Sequence, residues 1–197
     1  MIVSDSPDAS TFVTPNARFY MDDWIETGTG NRISRLAAIK GAHRISILEN
    51  STICENCTLN GDVTTASPNQ PSIVLGKYTY LAANCLLDPP RAKLLPEFAV
   101  FADIKVGNYT TIGASSVVRL IQVGNRVLVG SKCILGELSV INDCCIIEDC
   151  TVVPPKSVIP PYSKVSGIPG EDYNVEQISA SYRKVLEADS RIRHVLE

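Results

Sequence analysis

The sequence predicts an all-β solenoid, a coil of short parallel strands followed by one C-terminal helix. Three observations carry this. Val123, Val129, Leu135, Ile141, Ile147, Val153, Ile159 and Val165 stand six residues apart without a break, and a fixed period of this kind marks a repeat architecture. The spacing recurs upstream in three shorter runs: Val106, Ile112, Val118; Leu75, Leu81, Leu87; and Ile47, Ile53, Leu59. Two places ahead of each aliphatic sits an uncharged, mostly small residue, among them Ser51, Cys57, Thr79, Cys85, Thr110, Ser116, Cys133 and Cys145, with Ile121 before Val123. A pair of inward positions two apart is a short β-strand, because alternate side chains share a face. The third observation is the residue that follows the aliphatic: Gly76, Gly107, Gly113, Gly124, Gly130 and Gly136, or Asn60 and Asn142. Gly and Asn tolerate positive φ, so the chain is expected to turn its corners there.

Composition narrows the function classes. A net charge of -3 lacks the basic surplus that nucleic acid would require. No apolar run approaches a membrane span, and the polar start MIVSDSPDAS does not read as a secretory leader. The expectation is a soluble cytosolic protein without direct membrane insertion. Seven Cys, an odd number, argue against a disulfide framework, and two His leave little material for a histidine-based site.

The period resembles the hexapeptide repeat of left-handed parallel β-helices, in which three hexads make one triangular coil. That resemblance implies five to six coils stacked about 4.8 Å apart, a prism roughly 28 Å tall. In chain order, residues 1–18 are polar and rich in Ser, Asp, Thr and Pro, and read as a flexible tail. Residues 19–44 read as N-terminal strands and a cap, with a turn at Gly28-Thr29-Gly30 and Trp24 packed over the first coil. Residues 45–170 form the β-helix, with one corner shortened because only five residues separate Val118 from Val123. Residues 60–72 make a long polar corner loop, and residues 88–103 (DPPRAKLLPEFAVFAD) a second insertion. The second loop carries Leu94, Leu95, Phe98, Val100 and Phe101 outside the periodic core. An apolar loop of that kind packs on its own protein or on a partner. Pro154, Pro155, Pro160 and Pro161 occupy late corners, where a fixed φ and a missing donor suit the end of the stack. Residues 171–197 read as a helix opened by a capping box from Asn174 to Gln177. Val175, Ile178, Tyr182, Val185, Leu186, Ile192, Val195 and Leu196 fall on one side of it. Such a helix covers the last rung or a flank of the coil, or docks a neighbouring subunit.

Candidate chemistry is sparse. Cys57, Cys85, Cys133 and Cys145 fall in the small inward column, where a free Cys behaves as a compact apolar side chain. Cys54 and Cys57 have CxxC spacing, but the period points Cys57 inward and leaves Cys54 beside a corner, and no second pair completes a zinc site. Enzymes on hexapeptide coils are mostly acyltransferases with a His base at a coil edge, or carbonic-anhydrase-like proteins with three His on zinc. His43 precedes the periodic region and His194 lies in the terminal segment, so neither alternative finds its central residue inside the coils. Gly28-Thr29-Gly30 lacks the context of a phosphate loop.

The segments outside the repeat are more specific. Ile25-Glu-Thr-Gly-Thr-Gly-Asn-Arg-Ile-Ser-Arg35, Asp88-Pro-Pro at the head of the apolar insertion, the shortened corner before Val123, and Asp143-Cys-Cys145 together resemble the dynactin subunit 5 family. So does the run from Val153 to Gly170 with its two Pro-Pro pairs, followed by a Tyr-bearing helix. The resemblance spans residues 20 to about 190. It implies a non-catalytic scaffold with no cofactor or metal, part of the dynactin pointed end. It implies as partners dynactin subunit 6, as a heterodimer, dynactin subunit 4 and the pointed-end actin-related protein, with dynein cargo adaptors as further candidates. Function would then be support of dynein-dependent microtubule transport and of endosome attachment. Leu94, Leu95, Phe98, Phe101, Tyr182 and Leu186 are the candidate partner-binding residues.

Overall fold

The computed structural model describes residues 23–94 and 99–196. Strands of two to four residues wind into a triangular coil, and each side is a parallel ladder. The first side stacks Arg32–Ser34, Thr52–Ile53, Tyr80–Leu81, Thr111–Ile112, Leu128–Val129, Ile146–Ile147 and Ser163–Ser166. The second stacks Ala38–Lys40, Thr58–Asn60, Leu86–Leu87, Val117–Val118, Ile134–Leu135 and Val152–Val153. The third stacks Ile45–Ile47, Ile73–Leu75, Ile104–Val106, Gln122–Val123, Val140–Ile141 and Val158–Ile159. Among the described residues six coils are complete, and Ser163–Ser166 opens a seventh.

Coil pairing starts at Arg32, ahead of the expected start at Ile45: Ile33 pairs with Ile53, and Ile39 with Leu59. Ile33 and Ile39 already keep the six-residue spacing. A 3-10 turn at Ala42–Arg44 then delays the third-side strand and breaks the strict period within the first coil.

Every departure from the period falls on one vertical edge, between the second and third sides. There the first coil inserts the Ala42–Arg44 turn, the second coil residues 61–72, and the third coil residues 88–103, while the fourth coil is a residue short. At the shortened corner Leu120 is fully buried, whereas Ile121, expected inside, is only half-buried. With one residue fewer the chain cuts the corner, and the preceding side chain fills the core.

The inward aliphatics line up in register, and Ile53, Leu81, Ile112, Leu135, Ile141 and Ile147 have at most 1% of their surface exposed. A fully buried aliphatic contributes about 1.5–3 kcal/mol, so this column is the main source of cohesion. The small inward column serves a second purpose. Ser51 Oγ donates to the Gly76 carbonyl at 2.8 Å, Thr110 Oγ1 to Gly124 at 2.9 Å, and Ser116 Oγ to Gly130 at 3.0 Å. Cys57, Cys133 and Cys145 present their thiols likewise to the carbonyls of Ala82, Glu148 and Pro160 at 3.0–3.1 Å. A short side chain with a terminal donor fits against the wall and satisfies a corner carbonyl, whereas Ile73, Ile104 and Val127 fill the same column with apolar bulk alone.

The corners turn elsewhere than expected. Positive φ falls three residues after the aliphatic, at Asn50, Asn56, Asn84, Ser115, Lys132, Cys144, Cys150 and Tyr162 among others. The glycines directly after the aliphatics have no positive φ and serve close approach instead. A Cβ on Gly113 would lie 2.5 Å from the Gly130 carbonyl carbon in the next coil, and one on Gly136 2.5 Å from the Val153 oxygen. Cys144 and Cys150, off the inward column, therefore occupy left-handed corners.

Antiparallel strands finish both ends of the first side. Trp24–Glu26 pairs with Arg32–Ser34 through the Gly28–Gly30 turn, with the Arg32 guanidinium 5.0 Å from the Trp24 ring centre. At the other end Asn174–Gln177 pairs with Ser163–Ser166, Val165 opposite Val175. The expected capping box is thus a strand. The open ladder edge of Ser163–Ser166 offers unpaired backbone groups, and satisfying them outweighs the local helix-start signal. The helix starts only at Tyr182 and runs to Leu196.

Candidate interaction surfaces

The C-terminal helix lies along the first side, covering its lower coils rather than the last rung. It is fastened by polar contacts: Arg126 Nε to Glu187 at 3.0 Å, Thr111 Oγ1 to Asp189 at 3.4 Å, Thr52 Oγ1 to His194 Nδ1 at 2.8 Å, and Ser190 Oγ to the Tyr78 carbonyl. Tyr78 and Tyr109 stack at 5.3 Å on adjacent left-handed corners, and the Arg191 guanidinium sits 5.1–5.3 Å from both rings. Arg191 also donates to the Tyr109 hydroxyl. A flat guanidinium against stacked rings is a cation–π arrangement that resists sliding.

His194 reports on this docking. Burial, then the Arg32 charge, pushes its pKa below the ordinary value of 6.5. A depressed His pKa means that the undocked or unfolded state binds the proton more readily, so the docked state loses stability as pH falls below 6.5. Amide hydrogen exchange over Leu186 to His194, corrected for intrinsic rate, is expected to show weaker protection at acidic than at neutral pH. Equal protection would rule out this role for His194.

The outward positions differ from side to side. On the second side Leu86, Val117, Ile134 and Val152 stand in direct register, an apolar ladder across four coils. All four are half-buried or exposed, Ile134 most of all. On the third side Lys105 and Gln122 interrupt the corresponding column. On the first side, above the helix, Leu128, Ile146, Glu148, Asp149 and Arg193 line a groove of about 630 Å³.

The two insertions meet on the irregular edge. Arg91–Leu94 and Ala99–Phe101 form an antiparallel hairpin. Phe101 donates its N–H to the Thr64 carbonyl at 2.9 Å and bridges to Thr65, while Arg44 reaches Thr65 Oγ1 at 2.7 Å. The hairpin therefore leans on the 61–72 loop. Of the expected contact residues, Phe101 is half-buried in this junction, and the Leu94 side chain, Leu95 and Phe98 lie outside the described residues, as does the 1–18 tail. Tyr182 is exposed at the head of the helix. Leu186 is corrected: only 4% exposed, it packs the helix onto the coil and offers a partner nothing. The apolar residues expected on one side of the helix divide instead. Leu186 turns inward, while Val185, Ile192, Val195 and Leu196 turn to solvent.

The second-side ladder escaped the sequence reading although its signal was present. Each member immediately precedes an inward aliphatic, and strand alternation points it outward.

No disulfide joins the cysteines. All seven are free, and the CxxC thiols diverge, Cys54 to the Tyr80 hydroxyl and Cys57 to the Ala82 carbonyl. Burial pushes the Cys145 thiol up to about 11 and raises Cys133 as well. For Cys57, the hydrogen bond with Cys85 and then burial push in the same direction. Protonated thiols of this kind are poor nucleophiles and poor metal ligands, whereas the hydrogen bond with Cys57 holds Cys85 below the ordinary thiol value. Among the described residues no group of three or more His, Cys, Asp or Glu could hold a metal ion. His43 is exposed on the first-coil turn. No helix among the described residues is long and apolar enough to cross a membrane.

Three-sided parallel stacking on a hexad period defines the class, a left-handed parallel β-helix of the hexapeptide-repeat kind. Solved structures agree. A hexapeptide transferase family protein from Anaplasma phagocytophilum matches with TM-score 0.61 and 17% identity, over 84% of this chain and 90% of that one. An N-acyltransferase from Bacillus cereus matches with TM-score 0.52 and 16% identity, over 89% and 94%. Perosamine N-acetyltransferase from Caulobacter crescentus matches with TM-score 0.55 and 14% identity, over 74% of this chain and 56% of that one. At such identities the likeness is one of fold. The dynactin subunit 5 profile matches residues 16–182, and the chain belongs to that family.

Proposed function

We propose that the chain is a non-catalytic structural subunit of the dynactin pointed-end complex, supporting dynein-dependent microtubule transport and the attachment of cargo such as endosomes through protein contacts. The observation that carries this is the family match across residues 16–182, which takes in every coil and both insertions. In this role the chain pairs with dynactin subunit 6 and adjoins dynactin subunit 4 and the pointed-end actin-related protein, in the cytoplasm on the microtubule cytoskeleton. Dynein cargo adaptors are its further candidate partners. The structure supports a contact role in two ways. Flat sides suit broad protein surfaces, and the irregular edge concentrates the projecting segments where one neighbour could engage them. Acyl transfer gains no support from the two histidines, one on an exposed turn and one bound to Thr52.

Affinity capture of the tagged chain from cytosol, with mass identification, is expected to recover the three named partners. Capture of none of them would contradict the assignment. Replacing Leu94, Leu95, Phe98 and Phe101 with Ser is expected to cut that recovery severalfold while the circular dichroism spectrum of the coil persists. Undiminished recovery would remove the insertion from the interface.

A further inference from the structure

The C-terminal helix is held by one side only, and its other side is an ordered seam. Val185, Ala188, Ile192 and Val195 are spaced three, four and three residues apart, the a and d spacing along which one helix receives another. They face solvent, with Val185, Ile192 and Val195 being 61%, 55% and 79% exposed. The small Ala188 leaves a notch between larger neighbours. Two hollows of about 450 Å³ share Ala188 and Lys184, one extending to Val185 and Ile192 and the other to Arg183 and Arg191. The polar anchors on the opposite side fix the orientation of the seam.

The rim of the seam has one sign of free charge. Glu187 is engaged by Arg126 and Arg191, and Asp189 by Arg193 and Thr111. Arg183 and Lys184, both exposed, make no ion pair or side-chain hydrogen bond among the described residues. Both carboxylates of the Tyr182–Leu196 helix are thus already occupied, and the unpaired charges are basic. Aligned in parallel, a second copy of the helix would set Arg183 and Lys184 against the same two cations, so that pairing leaves them uncompensated.

We infer that this seam docks an amphipathic α-helix of another protein, one with large aliphatic knobs for the Ala188 notch and acidic residues flanking them. The inference rests on the helix alone and stands apart from the pointed-end assignment. The test uses the full chain and two designed helical peptides, each with Leu at the a and d positions. One carries Glu and the other Lys at the flanking e and g positions. The Glu peptide is expected to bind roughly tenfold more tightly at low ionic strength, the gap narrowing in about 0.5 M NaCl as the charges are screened. Val185→Asp with Ile192→Asp should abolish binding without shifting the melting temperature, because both residues are exposed. Arg183→Glu with Lys184→Glu should reverse the preference between peptides. Equal binding of the two peptides, binding of neither, or binding that survives the double Asp substitution would overturn the inference. So would sedimentation showing that the chain alone dimerises through this seam.

Discussion

Gly107→Ala is expected to cost on the order of 3 kcal/mol of unfolding free energy, whereas Gly28→Ala stays within about 0.5 kcal/mol of the parent. A Cβ on Gly107 would stand 2.5 Å from the Gly124 oxygen and 2.7 Å from the Asn125 nitrogen, while one on Gly28 meets nothing within 4 Å. The crowding atoms are backbone and cannot swing aside. Gly107 donates its own N–H to Val123, and Gly124 donates to Ile141, so both coils are clamped by the ladder. Gly76 stands in the same relation to Gly107, and Gly124 to Asn142, one glycine column running up an edge of the prism. Urea denaturation of the two variants decides the matter. A Gly107→Ala protein as stable as Gly28→Ala would mean that neighbouring coils separate locally at little cost.

Leu135→Ala is expected to destabilise by about 3 kcal/mol, and Ile134→Ala by no more than about 0.5 kcal/mol. The two residues are adjacent in one strand, Leu135 wholly buried and Ile134 49% exposed. Deleting the Leu135 side chain opens a cavity between coils that the stacked backbone cannot collapse to fill. Deleting the Ile134 side chain removes only surface. Comparable losses at both positions, by thermal or urea unfolding, would contradict the inward and outward assignment. They would also remove the second-side ladder of Leu86, Val117, Ile134 and Val152 as a free surface.

The coil was legible because its signal is local. Inward position in a strand of two or three residues depends on alternation, and alternation is written in adjacent residues. The family kinship was legible for a related reason: the Pro-Pro corners and the Asp88 insertion sit at fixed places relative to the hexads. Two local expectations failed instructively. Glycine after each aliphatic was expected for its positive φ, but the demand comes from the neighbouring coil, which lies seventeen or eighteen residues away in the regular coils. Asn174 to Gln177 has the composition of a helix start, yet it pairs with an open ladder edge. In each case a surface brought close only by folding overruled the propensity of the segment.

The candidate surfaces divide along the same line. Spacing placed Tyr182, Leu186 and Val185 together on one apolar side of the helix, which the coil then divided. Amphipathicity reports that a helix has an apolar stripe, not which of two stripes is covered. The coil decided it, through Arg126, Tyr78 and Thr52, which hold Glu187, Ser190 and His194 and so turn Leu186 inward and the Val185 to Val195 seam outward. By itself, then, the sequence determined the solenoid, its six-residue period, the inward columns and the family, because each depends on neighbours along the chain. Only the tertiary structure decided where the corners bend, why the glycines are needed, how the sheet ends close and which apolar faces remain open. Those depend on atoms distant in sequence and packed within a few ångströms in space.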